Sequence, residues 1–458
     1  MSREPAHYRF GPRERGGALA GWRAGQILTV ALGLVVGLLV LHSQTNAVGV
    51  GVALIILVVC AALATWPVSG RTGDQWFPVV VRWGTRALGP GAKRSRDVLG
   101  GLRLLSAGAR DMGVVHDARA RTLTAALSLR GQSFALLGPD EQDRRVAGWA
   151  SVLAALAREG SPVRRVQWLA ASFPDEGHGV RTYLAAGATG EAASEGRASY
   201  ESLLDDMDAD ACTHEVVLTV QVRQAKSLEI GCEVLAREVA SMARLLAEAD
   251  VLVDGVLSAD DLAAALLRTY EPHAVPARRE FGAATSAAAG PWPMAMEEEW
   301  SSIQVDGLVH ATFWVAEWPR TDVRSDFLAP LLLASARATV SITMEPLGPE
   351  KAVRRVEASR TADLADSELR RRGGFVSTAR HTRQSEVLAQ REAELADGHA
   401  SFRYAGYITV SAASEPELVT ACETVQHAAG QCRLVVRRLY GDQARAYTCT
   451  LPLGRGLT

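Results

Sequence analysis

The residues that could carry chemistry are conspicuous mainly by their spacing, which fits no reactive site. A phosphate-binding loop needs Gly-Lys-Ser/Thr, so that backbone amides and one ammonium hold the phosphates. Of 49 basic residues only Lys93, Lys226 and Lys351 are lysine, and none follows a glycine. Residues 89–95 are glycine-rich and contain Lys93, but at the wrong spacing. ATP hydrolysis by that route is not expected. Asp205, Asp206, Asp208 and Asp210 form a D-D-M-D-A-D cluster. An EF-hand loop also requires a central Gly and a terminal Glu, which are missing. The D-x-D spacing occurs in glycosyltransferases, yet nothing nearby points to a nucleotide-sugar pocket. A solvated acidic loop is the expectation. The ten histidines show no H-x-x-x-H pair, and no serine sits in a G-x-S-x-G elbow. The six cysteines (Cys60, Cys212, Cys232, Cys422, Cys432, Cys449) form no C-x-x-C motif, so reduced apolar thiols are expected rather than a zinc site. The sequence therefore predicts no catalytic residue, no cofactor site and no metal site.

What it does contain is an uncharged stretch. Residues 24–70 hold no Asp, Glu, Lys or Arg. Two apolar runs, 26–41 and 47–66, are joined by the polar link His42-Ser43-Gln44-Thr45-Asn46. A bilayer core of about 30 Å takes roughly 20 helical residues, so each run with its flanks is long enough to cross. A five-residue link can only reverse the chain, which predicts an antiparallel transmembrane hairpin. Arg3, Arg9, Arg13, Arg15 and Arg23 precede it, and Arg71, Arg82, Arg86, Lys93, Arg94 and Arg96 follow. The positive-inside rule then puts both ends in the cytosol. A cleaved signal peptide is the alternative for the first run, but its small-x-small site, Ala47-Val48-Gly49, already opens the second run. Gly33 and Gly37, with Gly49 and Ala53, have the small-xxx-small spacing of helices that pack closely in lipid. Trp22 and Trp66 fall where amphipathic rings favour the lipid–water boundary, and Trp76 and Trp83 continue that pattern in a segment expected to lie on the inner leaflet.

The 458 residues carry a net charge of −2, so basicity gives no case for nucleic acid. Abundant Ala, Gly, Val and Leu with scarce lysine resembles GC-rich bacterial coding. The order expected is a basic cytosolic arm (1–23), the hairpin (24–70), a juxtamembrane connector (71–111), a first α+β lobe (112–275), a linker (276–296) and a second α+β lobe (297–458). Strands are predicted at 121–129, 133–137, 166–170 and 216–222, with helices from Pro139 to Gly160 and from 228 to 249. Ser258 and Asp261 make a capping box for the next helix. In the second lobe, Asp306-Gly307 signals a hairpin between strands 303–305 and 310–314. A helix at 327–336, a strand at 339–344, a charged helical region at 350–396 broken at Gly373-Gly374, a strand at 404–410, a helix at 415–429 and a strand at 433–436 complete it. Residues 351–403 interleave eleven basic and eight acidic side chains, which fits a solvated ion-paired face better than a phosphate track. Two lobes of like order suggest a degenerate duplication with a ferredoxin-like arrangement in each half.

Several short segments resemble a known family. They are Val305-Asp306-Gly307, Trp318-Pro319, Met344-Glu345-Pro346, Glu394-Leu395-Ala396-Asp397-Gly398-His399, Ala405-Gly406-Tyr407, Gln443-Ala444-Arg445-Ala446-Tyr447 and Leu451-Pro452-Leu453-Gly454. From about residue 112 the chain is similar to the N-terminal, non-motor domain of the conjugative ATPases of type IV secretion (the TrbE/CagE kind). The hairpin is similar to the small two-span inner-membrane subunit of the same machines (the PrgI kind). In that family the last segment precedes a P-loop motor domain, whose catalytic residues have no counterpart in this sequence. The resemblance implies a fusion of the two, as in actinobacterial clusters. It would be a non-enzymatic membrane scaffold that docks a separate secretion ATPase and other membrane subunits in an oligomeric assembly. An inner-membrane subunit of type VII secretion (the EccE kind) has the same layout and is the alternative. A membrane-bound enzyme is a third reading. Interfaces centre on aromatic and Arg anchors, so Trp318, Arg403, Tyr404, Tyr440 and Tyr447 are the expected partner contacts, whereas Trp314 is expected inside its lobe.

Overall fold

The computed structural model describes residues 24–44, 46–66, 71–87, 98–108, 111–131, 136–174, 202, 212–271, 291–372, 389–390, 392–395 and 400–457. They fall into two compact units, one drawn from residues 24–87 and 349–395 and the other from residues 98–348 and 400–457. The arm, the expected loop at 177–197 and the Asp205–Asp210 cluster lie outside the described residues.

The first unit is helical. α1 (Ala24–Ser43) and α2 (Ala47–Thr65) run to 20 and 19 residues, or about 30 Å at 1.5 Å per residue. Both are long and apolar enough to cross a membrane. Their outer faces are bare hydrocarbon: Leu28, Leu32, Leu38, Leu39, Val48, Leu54 and Ile55 are all exposed. A helix apolar all round with so little buried has no partner in water for most of its surface. Asn46 caps α2, its side-chain oxygen accepting from Gly49 N at 3.0 Å. α3 (Gly73–Ala87) follows. The same unit contains the charged helix Pro349–Arg372. It is stabilised by ion pairs one turn apart, Arg354–Glu350 at 3.3 Å and Arg372–Glu368 at 3.0 Å, each contributing a few tenths of a kcal/mol (about 0.3–0.5) at this exposure. Arg360 also pairs with Glu392 of the short helical stretch 392–395. The expected break at Gly373-Gly374 lies outside the described residues.

The second unit is a single twelve-stranded antiparallel sheet with helices. In chain order it comprises β1 (Leu102–Ala107), β2 (Met112–Asp117), β3 (Thr122–Leu129), α4 (Pro139–Leu156), β4 (Val163–Pro174), β5 (Cys212–Arg223), α5 (Leu228–Glu248), β6 (Val253–Val256) and α6 (Ala259–Arg268). It continues with β7 (Met296–Glu298), β8 (Ile303–Val305), β9 (Leu308–Glu317), α7 (Ala329–Leu332) and β10 (Ala338–Leu347). The charged helix of the first unit, α8, intervenes before β11 (Ser401–Ala412), α9 (Glu415–Gln431), β12 (Val435–Arg438) and α10 (Gln443–Tyr447). The spatial order is β1-β2-β3-β5-β4-β10-β11-β9-β8-β7, with β6 beside β3 and β12 beside β9. Each half is thus a β-α-β-β-α-β unit, β3-α4-β4-β5-α5-β6 and β9-α7-β10-β11-α9-β12, both ordered fourth-first-third-second. The α+β class holds. The halves do not have separate sheets, however: β4 and β10 pair from Ala338↔Ser172 to Met344↔Val166 and make one sheet of both.

One face of the sheet packs on α4 and α5 through Leu123, Leu127, Leu218, Leu235 and Leu246, and on α9 through Phe313, Ile408, Val410 and Val425. The opposite face carries α6, α10 and the tail through Val115, Ala126, Leu266, Tyr447 and Leu453. Local signals act as expected at several points. Pro139 opens α4 at its first turn, Ser258 Oγ accepts from Asp261 N at 3.1 Å to cap α6, and Asp306 takes a positive φ of 47° in the β8–β9 turn.

Four expectations need correction. Residues 102–107, expected in the connector, form β1, paired with β2 from Leu102↔Asp117 to Ala107↔Met112. Residues 136–137, expected in a strand, are outside any strand; β3 has its edges filled by β5 and by β2 and β6. The helix expected at 327–336 shrinks to Ala329–Leu332, because β10 already begins at Ala338. The linker's end is structured: Tyr270 Oη donates to the Pro291 carbonyl, and Met296 is 1% exposed.

Candidate functional site

In the hairpin, three of the four small residues, Gly33, Gly37 and Ala53, lie against the other helix. A Cβ built on Gly33 would lie 2.7 Å from Cys60 Cβ, so only glycine permits this approach. On Gly37 it would lie 3.7 Å from Ala53 O and 3.8 Å from Ala53 Cβ, an ordinary contact. Ala53 is buried. Gly49 is crowded by Gln44 of the link, so its smallness serves the turn. At the other end of the pair, Gln26 Nε2 donates to Ala64 O at 2.7 Å. Trp66 is 74% exposed, Trp76 and Trp83 are half-buried on α3, and Trp22 lies outside the described residues.

The expected partner contacts do not converge. Trp318 and Tyr404 meet edge to face with centroids 5.5 Å apart, and Tyr404 is exposed. Gly406 makes room for that pair: a Cβ there would be 2.9 Å from Trp318 Cζ2. Arg403 is next in sequence to Tyr404 but, by strand alternation, points to the other face. There it faces Glu345 at 3.9 Å. Tyr440 stacks on Trp300 at 6.3 Å. Tyr447 is not a surface contact at all. It is 2% exposed, its hydroxyl is 3.1 Å from Thr269 Oγ1, and its ring lies 4.6 Å from that of His310. Trp314 is half-buried. His310 is fully buried beside Tyr447, with Nδ1 2.8 Å from Ser411 Oγ; burial, helped by the Arg337 charge, lowers its pKa to about 3 and keeps the ring neutral.

The most elaborate constellation escaped sequence reading. After α10, a 3-10 turn (Thr448–Thr450) leads into an extended strap, residues 451–457, that crosses the sheet face. Among the described residues no strand pairs with it, and side chains from the sheet satisfy its backbone. Gln167 on β4 is fully buried; its Nε2 donates to Cys449 O at 2.8 Å and Ser341 Oγ at 2.9 Å, and its Oε1 accepts from Gly454 N at 2.8 Å. Gln221 Nε2 on β5 donates to Leu453 O at 3.1 Å. Thr343 Oγ1 on β10 donates to Arg455 O at 2.6 Å, Tyr407 Oη on β11 to Gly456 O at 2.7 Å, and Arg165 Nη2 to Leu457 O at 2.6 Å. Gly454 and Gly456 have φ of +64° and +131°, and a Cβ on either would strike Gln221 or Thr343. Arg455 anchors the strap to the first half, donating to Asp117 Oδ2 and Val98 O at 2.8 Å each. Burial raises the Asp117 pKa, but the Ala120 N–H and the Arg455 guanidinium more than offset this and hold it below the ordinary carboxylate value. The Leu451-Pro452-Leu453-Gly454 motif is therefore a clamp across both halves.

Among the described residues no three His, Cys, Asp or Glu side chains come together as metal ligands, and the six cysteines are free thiols. The cleft lined by Arg337, Thr339, Ser411 and Tyr447 has room for about one water, about 10 Å³. In comparisons with known proteins, the chain matches no family model and no curated protein.

Proposed function

We propose that this chain is a non-enzymatic, membrane-anchored scaffold of a type IV secretion, conjugation-like machine, which docks a separate P-loop ATPase. The observation that carries the reading is the pairing of two uncharged, outwardly apolar helices with a sheet body whose residues resemble the non-motor domain of conjugative ATPases. The arginines on both flanks of the hairpin support a topology with its open ends and the sheet body on the cytosolic side of a bacterial inner membrane. The Trp318–Tyr404 pair, in which Tyr404 is exposed and Trp318 half-buried, is the docking anchor in this reading, since aromatic side chains dominate interface energetics.

The test is affinity capture from detergent-solubilised membranes. A conjugative-type P-loop ATPase should come with the wild-type chain. Tyr404→Glu combined with Trp318→Ala should reduce its recovery roughly thirtyfold, as expected for a hot spot of about 2 kcal/mol. Point variants are needed because deleting residues 297–458 would strip β10 from its pairing with β4. Capture of a type VII secretion ATPase instead would refute type IV membership, and capture of no ATPase would refute the docking role.

A further inference from the structure

α3 is tied to the hairpin at the end where α1 begins and α2 finishes. A Cβ on Gly73 would lie 2.7 Å from Leu63 O, and one on Gly25 would lie 2.7 Å from Asp74 Oδ2. Asp74 thus sits against the start of α1, where a carboxylate suits the helix dipole, and Thr72 Oγ1 donates to the same carboxylate. Only residues 66–72 separate α2 from α3, so α3 stays beside the helix ends. The Arg71 guanidinium lies over the Trp76 ring, 5.5 Å from its centroid. On α3 Val79 is buried on the side that carries Gln75 and Arg82, and on the opposite side Phe77, Val80 and Val81 are 71%, 51% and 46% exposed. Phe77 and Val81 are one helical turn apart and Val80 is beside them, so the three form one apolar stripe. That stripe adds to the bare apolar surface of α1 and α2 within the same unit.

We infer that α3 lies in the headgroup–acyl boundary of a phospholipid leaflet, with Phe77, Val80 and Val81 inserted among the acyl chains. The occupant is lipid because the stripe sits at the ends of two helices whose own surfaces require hydrocarbon. An interfacial helix buries its apolar face by about 5–10 Å and turns its other side away from the acyl chains. Gln75 and Arg82 are on that other side, half-buried around Val79. The inference rests on the membrane reading of the hairpin, and the experiment separates the two.

The full chain in phospholipid nanodiscs would carry p-benzoylphenylalanine in place of Phe77, or in place of Gln75 on the opposite side of α3. Irradiation and mass spectrometry then identify what each position touches. A lipid adduct at 77 and its loss at 75 are expected. A protein adduct at 77, no adduct at 77, or equal lipid adducts at both positions would each overturn the inference. Carbonate extraction of native membranes reports on the hairpin alone. A chain that resists extraction but shows no lipid adduct at 77 overturns only the placement of α3; a chain that is extracted overturns the membrane reading as well.

Discussion

Replacing Gln167 with leucine should open the strap while leaving the strands paired. Its amide makes three bonds, and the side chain is fully buried, so no water can stand in for them. Ser341 Oγ can rotate to another acceptor, but Cys449 O and Gly454 N are fixed backbone groups. Each orphaned group costs about 1–3 kcal/mol; about 1.5 kcal/mol apiece gives about 3 kcal/mol. At roughly 1.4 kcal/mol per decade, the open fraction of the strap should rise about 150-fold. Trypsin reads that fraction at the Arg455–Gly456 bond. The Arg455 side chain is 24% exposed and held by Asp117 and Val98, so cleavage requires opening, and its rate follows the open population when reclosing outruns cleavage. Cleavage at exposed Arg354 should not change and serves as the internal standard. Ser341→Ala, which removes one neutral partner, should raise the Arg455 rate by less than about tenfold. A Gln167→Leu protein cut at Arg455 at the wild-type rate would refute the clamp.

The folded Asp117 pKa is depressed, so its contribution to stability is present above the ordinary value of 3.8 and is lost as pH falls through that value and below. Asp117→Asn should flatten the acid limb of urea midpoints measured against pH. His310 titrates in a higher window. Its folded pKa of about 3 lies below the free value of 6.5, so stability should fall by about 1.4 kcal/mol per pH unit on acidifying from 6.5 towards 3. His310→Gln should remove that slope at some cost in absolute stability, and an unchanged slope would contradict the buried neutral ring. In the hairpin, Gly33→Ala should weaken α1–α2 association by about 1–3 kcal/mol through overpacking, whereas Gly37→Ala should be tolerated. Steric trapping of the pair in bicelles separates the two variants. Cysteines placed at Ser43 and Gln44 should react with an impermeant maleimide in intact cells while positions in the sheet body stay protected; the reverse pattern would invert the topology.

The hairpin was legible because missing charge over dozens of residues has few physical explanations. The capping pair Ser258/Asp261 and the Asp306-Gly307 turn were legible because they act within four residues. β1 was not, since Leu102-Arg103-Leu104-Leu105 alternates poorly and gains its strand partner only from β2. The strap was missed for a similar reason: Leu451 to Gly456 has no periodicity, and its partners are up to 357 residues away. A signal did exist. Gln167, Thr219 and Gln221 are polar but uncharged at alternate positions of predicted strands, which marks a covered face rather than a solvated one. Likewise the opposite orientations of Arg403 and Tyr404 follow from strand parity alone. Tyr447 looked like an anchor because aromatic residues serve interfaces and cores alike.

The β4–β10 junction has a consequence for ancestry and for handling. Each half closes its own β-α-β-β-α-β pattern and leaves a long unpaired edge, β4 in one and β10 in the other. Those edges meet antiparallel, at equivalent positions of the two halves, as the subunits of a symmetric homodimer would. One continuous chain makes that encounter intramolecular and keeps the effective concentration of the partner edge high. Either half expressed alone would present a bare strand of about seven residues, which invites self-pairing or aggregation. The duplicated fold thus behaves as a tethered dimer, and dissecting it at the midpoint should yield dimers or precipitate rather than two soluble monomers.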